Sequence, residues 1–100
     1  MSTDTIQLQI QLSEISQGAL EKLIDKLKDQ VSLAEFSLAE LKENSSDDIV
    51  EILKHEMFII ELKKIINSSL DKLLEESKSH LLLLKALNTV FEKDQLENIH

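Results

Sequence analysis

The sequence predicts an all-α fold: an antiparallel helical hairpin with a third, C-terminal helix, packing as a coiled-coil-like bundle and completed by oligomerisation. Three observations carry that expectation. The 100 residues include no proline and only Gly18 as glycine, so the two residue types that most disfavour helix are nearly missing. Leu20, Ile24, Leu27, Val31, Ala34, Leu38 and Leu41 follow one another in alternating steps of four and three, the a/d seam of helices that pack near-parallel. Between two long helix-compatible stretches stands one polar run, Glu43-Asn44-Ser45-Ser46-Asp47-Asp48.

Residues 1–12 are expected to form a tail or an extension of the first helix. Ile6, Leu8, Ile10 and Leu12 alternate with Gln7, Gln9 and Gln11, the period of a half-buried strand. A lone strand leaves both edges unpaired and needs a partner's sheet or a second copy. Helix is favoured over strand, because Ile6 and Ile10 fall in register with the later heptads and Asp4 is placed to cap a start.

A single helical domain is expected over residues 13–93, with helices at about 13–43, 47–76 and 79–93. Leu23, Leu33, Phe36 and Ala39 widen the first seam beyond two positions per heptad, which suits a bundle of more than two helices. Gly18 is the weak point, since glycine inside a helix costs about 1 kcal/mol relative to alanine. At the turn, Asn44 is expected to close the first helix in a left-handed conformation, and Ser45 or Ser46 to cap the second. Asp47 and Asp48 then fall in a first turn that favours carboxylates.

The second stretch runs through Ile49, Val50, Ile52, Leu53 and Met57-Phe58-Ile59-Ile60. At 100° per residue, four consecutive apolar side chains point around the whole helix. Further on come Leu62, Ile65, Ile66, Leu70, Leu73 and Leu74, then the polar Glu75-Glu76-Ser77-Lys78-Ser79-His80. That polar run is the candidate break before a third helix carrying Leu81 to Leu84, Leu87, Val90 and Phe91; nothing in it forbids helix, and without a break the second helix runs on as a long arm. Residues 94–100 are expected to fray.

Composition narrows function by exclusion. All eleven basic residues are lysines and the net charge is −8, so nucleic-acid binding is not expected. Its acid is spread along the chain, with a stripe of Glu21, Asp25 and Asp29 interleaved with Lys22, Lys26 and Lys28, as on a solvated helix face. Lacking Cys and Trp, the chain holds no disulfide or thiolate-zinc chemistry. The N-terminus has no basic region followed by an apolar segment, and the longest apolar runs fall far short of the roughly 20 residues that span a bilayer. A cytoplasmic location is expected, with leaderless secretion as the alternative. Abundant Lys, Ile, Asn and Leu without Arg suit an AT-rich coding sequence, bacterial or phage.

No cofactor or metal is expected. His55 and His80 each follow a glutamate, Glu51 and Glu76, by four positions, and only Glu97-Asn98-Ile99-His100 has the Glu-x-x-His spacing of carboxylate-bridged metal bundles. Ser69-Leu70-Asp71-Lys72 matches Ser-x-x-Lys but lacks the companion motifs of that nucleophile. The chain is therefore read as a non-enzyme.

The expected function is protein–protein interaction: a small acidic helical subunit, adaptor or chaperone that buries apolar helix faces against itself, as a dimer or higher, or against another protein. The candidate interaction residues are Leu20, Ile24, Leu27, Val31, Leu38, Leu41, Met57, Phe58, Ile59, Ile60, Leu81 and Leu84. Two alternatives stand beside it. One is an acidic inhibitor of a basic partner, of the immunity-protein or antitoxin type. The other is a leaderless secreted helical hairpin; the chain is similar in size and plan to those with a Trp-x-Gly turn, but it has no Trp, and Asp94 follows Phe91 by three positions rather than four.

Overall fold

The computed structural model describes residues 3–99, with side chains for 3–95. It is all-α. Helix α1 spans Thr3–Asn44 and helix α2 spans Ile49–Ile99, and no strand occurs among the described residues. Thr5 to Leu12 lie inside α1, with Ile6 and Ile10 buried.

The expected third helix is not a separate element. Helix α2 continues without interruption through Glu75 to His80. Polarity alone does not end a helix: that run contains no Gly or Pro, and Glu, Lys and Ser all continue one at modest cost. Asn88, Thr89 and Glu92 also stay helical; Asn88 Nδ2 donates to Glu92 Oε1 at 3.4 Å and Thr89 Oγ1 to the Lys85 carbonyl at 2.9 Å.

The turn is where the sequence puts it, with different capping chemistry. No non-glycine residue among those described has positive φ, so Asn44 does not close α1 in the left-handed region. Ser45 N–H instead donates to the Leu41 carbonyl at 2.8 Å, a last helical bond. The cap of α2 is Asp48, not Ser45 or Ser46. Its Oδ1 accepts from the Glu51 N–H at 3.3 Å, and its carbonyl accepts from the Ile52 N–H at 3.1 Å. Asp48 and Glu51 have the spacing of a capping box, but only one half of it forms, because the Asp48 N–H donates to the Ser45 carbonyl at 3.0 Å.

The chain divides into two compact units, Glu21–Asp71 and Met1–Leu20 with Lys72–His100. Within Glu21–Asp71, the ends of α1 and α2 nearest the turn form an antiparallel helical hairpin. Its seam contains Ile24, Leu27, Val31, Ala34, Leu38 and Leu41 on α1, and Ile52, His55, Ile59, Leu62, Ile66 and Ser69 on α2. Ile24, Ile59, Leu62 and Ser69 are buried, and the other seam residues are half-buried. Two ion pairs cross between the helices, Lys42 Nζ to Glu56 Oε1 at 3.3 Å and Lys63 Nζ to Glu35 Oε1 at 3.4 Å. Each of these four residues directly follows a seam residue, namely Leu41, His55, Leu62 and Ala34.

In the other unit the seam is Ile6, Ile10, Ser13, Gln17 and Leu20 on α1, and Leu73, Glu76, His80, Leu83, Leu87 and Val90 on α2. Ile6, Ile10 and Ser13 are buried there. The middle of this seam is polar. Gln17 Nε2 donates to Ser13 Oγ at 3.3 Å, and Ser77 Oγ donates to Gln17 Oε1 at 3.2 Å, tying the two helices together. His80 Nδ1 is buried and has no hydrogen-bond partner among the described residues.

Candidate interaction surface

Two helices give each other one packed face, and the apolar residues of this chain exceed what those faces hold. Among the described residues nineteen large hydrophobic side chains are exposed and five are buried, so a large apolar surface is left uncovered within the chain. Large exposed apolar patches on a folded domain mark sites of association.

The sequence-derived candidates divide by position. Leu20, Ile24, Leu27, Val31, Leu38, Leu41 and Ile59 are seam residues, buried or half-buried between α1 and α2. They hold the chain together and offer little surface to a partner. Met57, Phe58, Ile60, Leu81 and Leu84 are exposed. The Met57 to Ile60 run thus splits around its helix: Ile59 is 7% exposed, whereas Met57 is 66% exposed.

In Glu21–Asp71 the two flanks of the seam differ in chemistry. One carries the Lys42–Glu56 and Lys63–Glu35 ion pairs. On the other lies an open depression lined by Gln30, Leu33, Ala34, Ser37, His55 and Phe58, and beside it Glu51 and Lys54 form a pair within α2 at 3.5 Å. The His55 ring is fixed there, its Nδ1 2.9 Å from the Glu51 carbonyl.

Away from the seam, α2 carries a second apolar line in the same unit: Val50, Leu53, Met57 and Ile60, in steps of three, four and three, all exposed. This spacing repeats that of the seam and lies on another face of the helix. In the other unit α1 likewise exposes Leu8, Leu12 and Ile15, and α2 exposes Leu81, Leu82, Leu84 and Phe91. Sequence reasoning passed over the line from Val50 to Ile60 because the whole region reads as apolar. Its signal is the three-four-three spacing left after Ile52, His55 and Ile59 are assigned to the seam.

Ser69 is buried, and its Oγ donates to the Ile65 carbonyl at 2.8 Å, so its hydroxyl is engaged by its own helix. No group of three or more metal-binding side chains occurs among the described residues; the side chains of Glu97 and His100 lie outside them. Nor is any described helix long and apolar enough to cross a membrane. Searches of family models, curated proteins and solved structures found no match to this chain.

Proposed function

We propose that this chain is a non-enzymatic protein–protein interaction module of the cytoplasm, a small acidic helical subunit, adaptor or chaperone whose exposed apolar helix faces are covered by a second copy or another protein. One observation carries the reading: the large apolar side chains left exposed, Met57, Phe58 and Ile60 among them, outnumber those the two helices bury. Hydration of that much apolar surface is unfavourable, at about 25 cal/mol per Å². Association removes it.

A test is the mass of the purified chain in solution by light scattering, with any protein that copurifies identified and its stoichiometry measured. The reading expects an assembly heavier than a monomer, or a stoichiometric partner. It also expects either to be lost when Met57, Phe58 and Ile60 are all changed to Asp, with helicity by circular dichroism retained. A stable, partnerless monomer whose behaviour the triple variant leaves unchanged would sink the reading. Ile59 is unsuitable for this test, because an aspartate there would break the internal seam.

A further inference from the structure

The line Val50, Leu53, Met57 and Ile60 has the spacing of a coiled-coil seam, and the charges beside it identify what fits it. The ion pairs already present supply the rule. Lys42 follows seam residue Leu41, Glu56 follows seam residue His55, and the two meet at 3.3 Å across antiparallel helices. Glu35 follows Ala34, Lys63 follows Leu62, and they meet at 3.4 Å. Beside the exposed line, Lys54 follows Leu53 and Glu61 follows Ile60. If two copies of this segment are laid antiparallel, Leu53 comes level with Met57 and Val50 with Ile60. The same rule then sets Lys54 of each copy against Glu61 of the other, so the contact closes with twofold symmetry and two ion pairs.

Resting on the interaction reading above, we propose that the partner at this face is a second copy of the chain, docked antiparallel through Val50, Leu53, Met57 and Ile60. Electrostatics permits this here despite the net charge of −8. Between Ile49 and Lys64, Glu51, Glu56 and Glu61 are balanced by Lys54, Lys63 and Lys64, so this segment carries no net charge to repel a second copy. On the opposite rim stand Ile49, Glu56 and Lys63, and the last two are neutralised within the chain by Lys42 and Glu35. Lys54 and Glu61 are engaged only with neighbours on their own helix, Glu51 at 3.5 Å and Lys64 at 3.3 Å. Such exposed contacts exchange readily for an intermolecular pair.

Sedimentation equilibrium of the full chain over a range of concentrations tests the arrangement. The wild-type chain should show a monomer–dimer equilibrium, and Leu53→Asp with Met57→Asp should abolish it while circular dichroism stays unchanged. Lys54→Glu alone and Glu61→Lys alone should each weaken self-association about fivefold or more, by setting like charges opposite one another. Mixing these two single variants should give a heterodimer of wild-type affinity, because both cross-pairs are then complementary, and the double reversal should recover homodimers. Failure to regain association on mixing, or a dimer indifferent to Met57→Asp, overturns the proposal. A monomer that retains a stoichiometric foreign partner overturns it while leaving the broader interaction reading intact. A monomer with no partner overturns both.

Discussion

Ser77 donates its hydroxyl hydrogen to Gln17 Oε1 at 3.2 Å, joining residues sixty positions apart, while the other end of the same amide donates to Ser13. This hydrogen-bonded chain lies where the seam of its unit turns polar, with Ser13 and Gln17 on α1 and Glu76 and His80 on α2. The glutamine amide is satisfied at both ends. By contrast, the buried His80 Nδ1 has no partner among the described residues. An unpaired buried polar atom costs roughly 1 to 3 kcal/mol, and an apolar side chain at that position removes the penalty. His80→Leu should therefore stabilise the fold by about 1 kcal/mol, read as a higher urea midpoint with the slope unchanged. A loss of stability would show that the imidazole makes a favourable contact.

Gly18 lies within α1, and a Cβ built there meets nothing within 4 Å. Its backbone has no positive φ to protect. Alanine should fit without strain and gain about 1 kcal/mol, by helix propensity and by restricting the unfolded chain. Thermal unfolding of Gly18→Ala checks this, and a lower melting temperature would mean that the glycine serves a packing role invisible in the isolated chain.

Asp48 caps α2 through its contact with the Glu51 N–H. Asp48→Ala should destabilise the fold by about 0.5 to 2 kcal/mol, whereas Ser45→Ala and Ser46→Ala should change it much less. Ser46 Oγ donates to the adjacent Asp47 carboxylate at 3.3 Å rather than accepting from the first turn of α2. Denaturant titrations of the three variants separate the capping residue from its neighbours.

How far the sequence reveals this fold depends on which residues fill the seam. On α1 the seam positions from Leu20 to Leu41 are all apolar, so they read directly; nearer the N-terminus only Ile6 and Ile10 carry that signal, because Ser13 and Gln17 are polar. Helix α2 hides its seam. His55, Ser69, Glu76 and His80 occupy seam positions, while Leu53, Met57, Phe58, Ile60, Leu70 and Leu74 lie off it and are exposed. Hydrophobicity and position are decoupled there, and periodicity read from apolar residues alone cannot find the packed face. The same decoupling produces the expected break at Glu75 to His80, where polar residues occupy an uninterrupted helix. At the candidate surface, the apolar surplus is legible from the Met57 to Ile60 run. Which of its members face outward depends on the partner helix, and only the packed structure sets that.

The distinction between seam and surface makes a quantitative contrast within Glu21–Asp71. Ile24 is 4% exposed, so truncating it removes buried methylenes and leaves a void that a seam between two helices can only partly close. Phe36 is larger and sits in the same unit, but it is 65% exposed. Ile24→Ala should destabilise folding by about 2 to 4 kcal/mol, and Phe36→Ala should stay within roughly 0.5 kcal/mol when measured on the dilute monomer. Equilibrium urea unfolding, performed below the concentration at which mass rises above that of the monomer, provides the comparison. Similar losses at the two positions would mean that Phe36 is covered within the folded chain, which would remove it from the surface available to a partner.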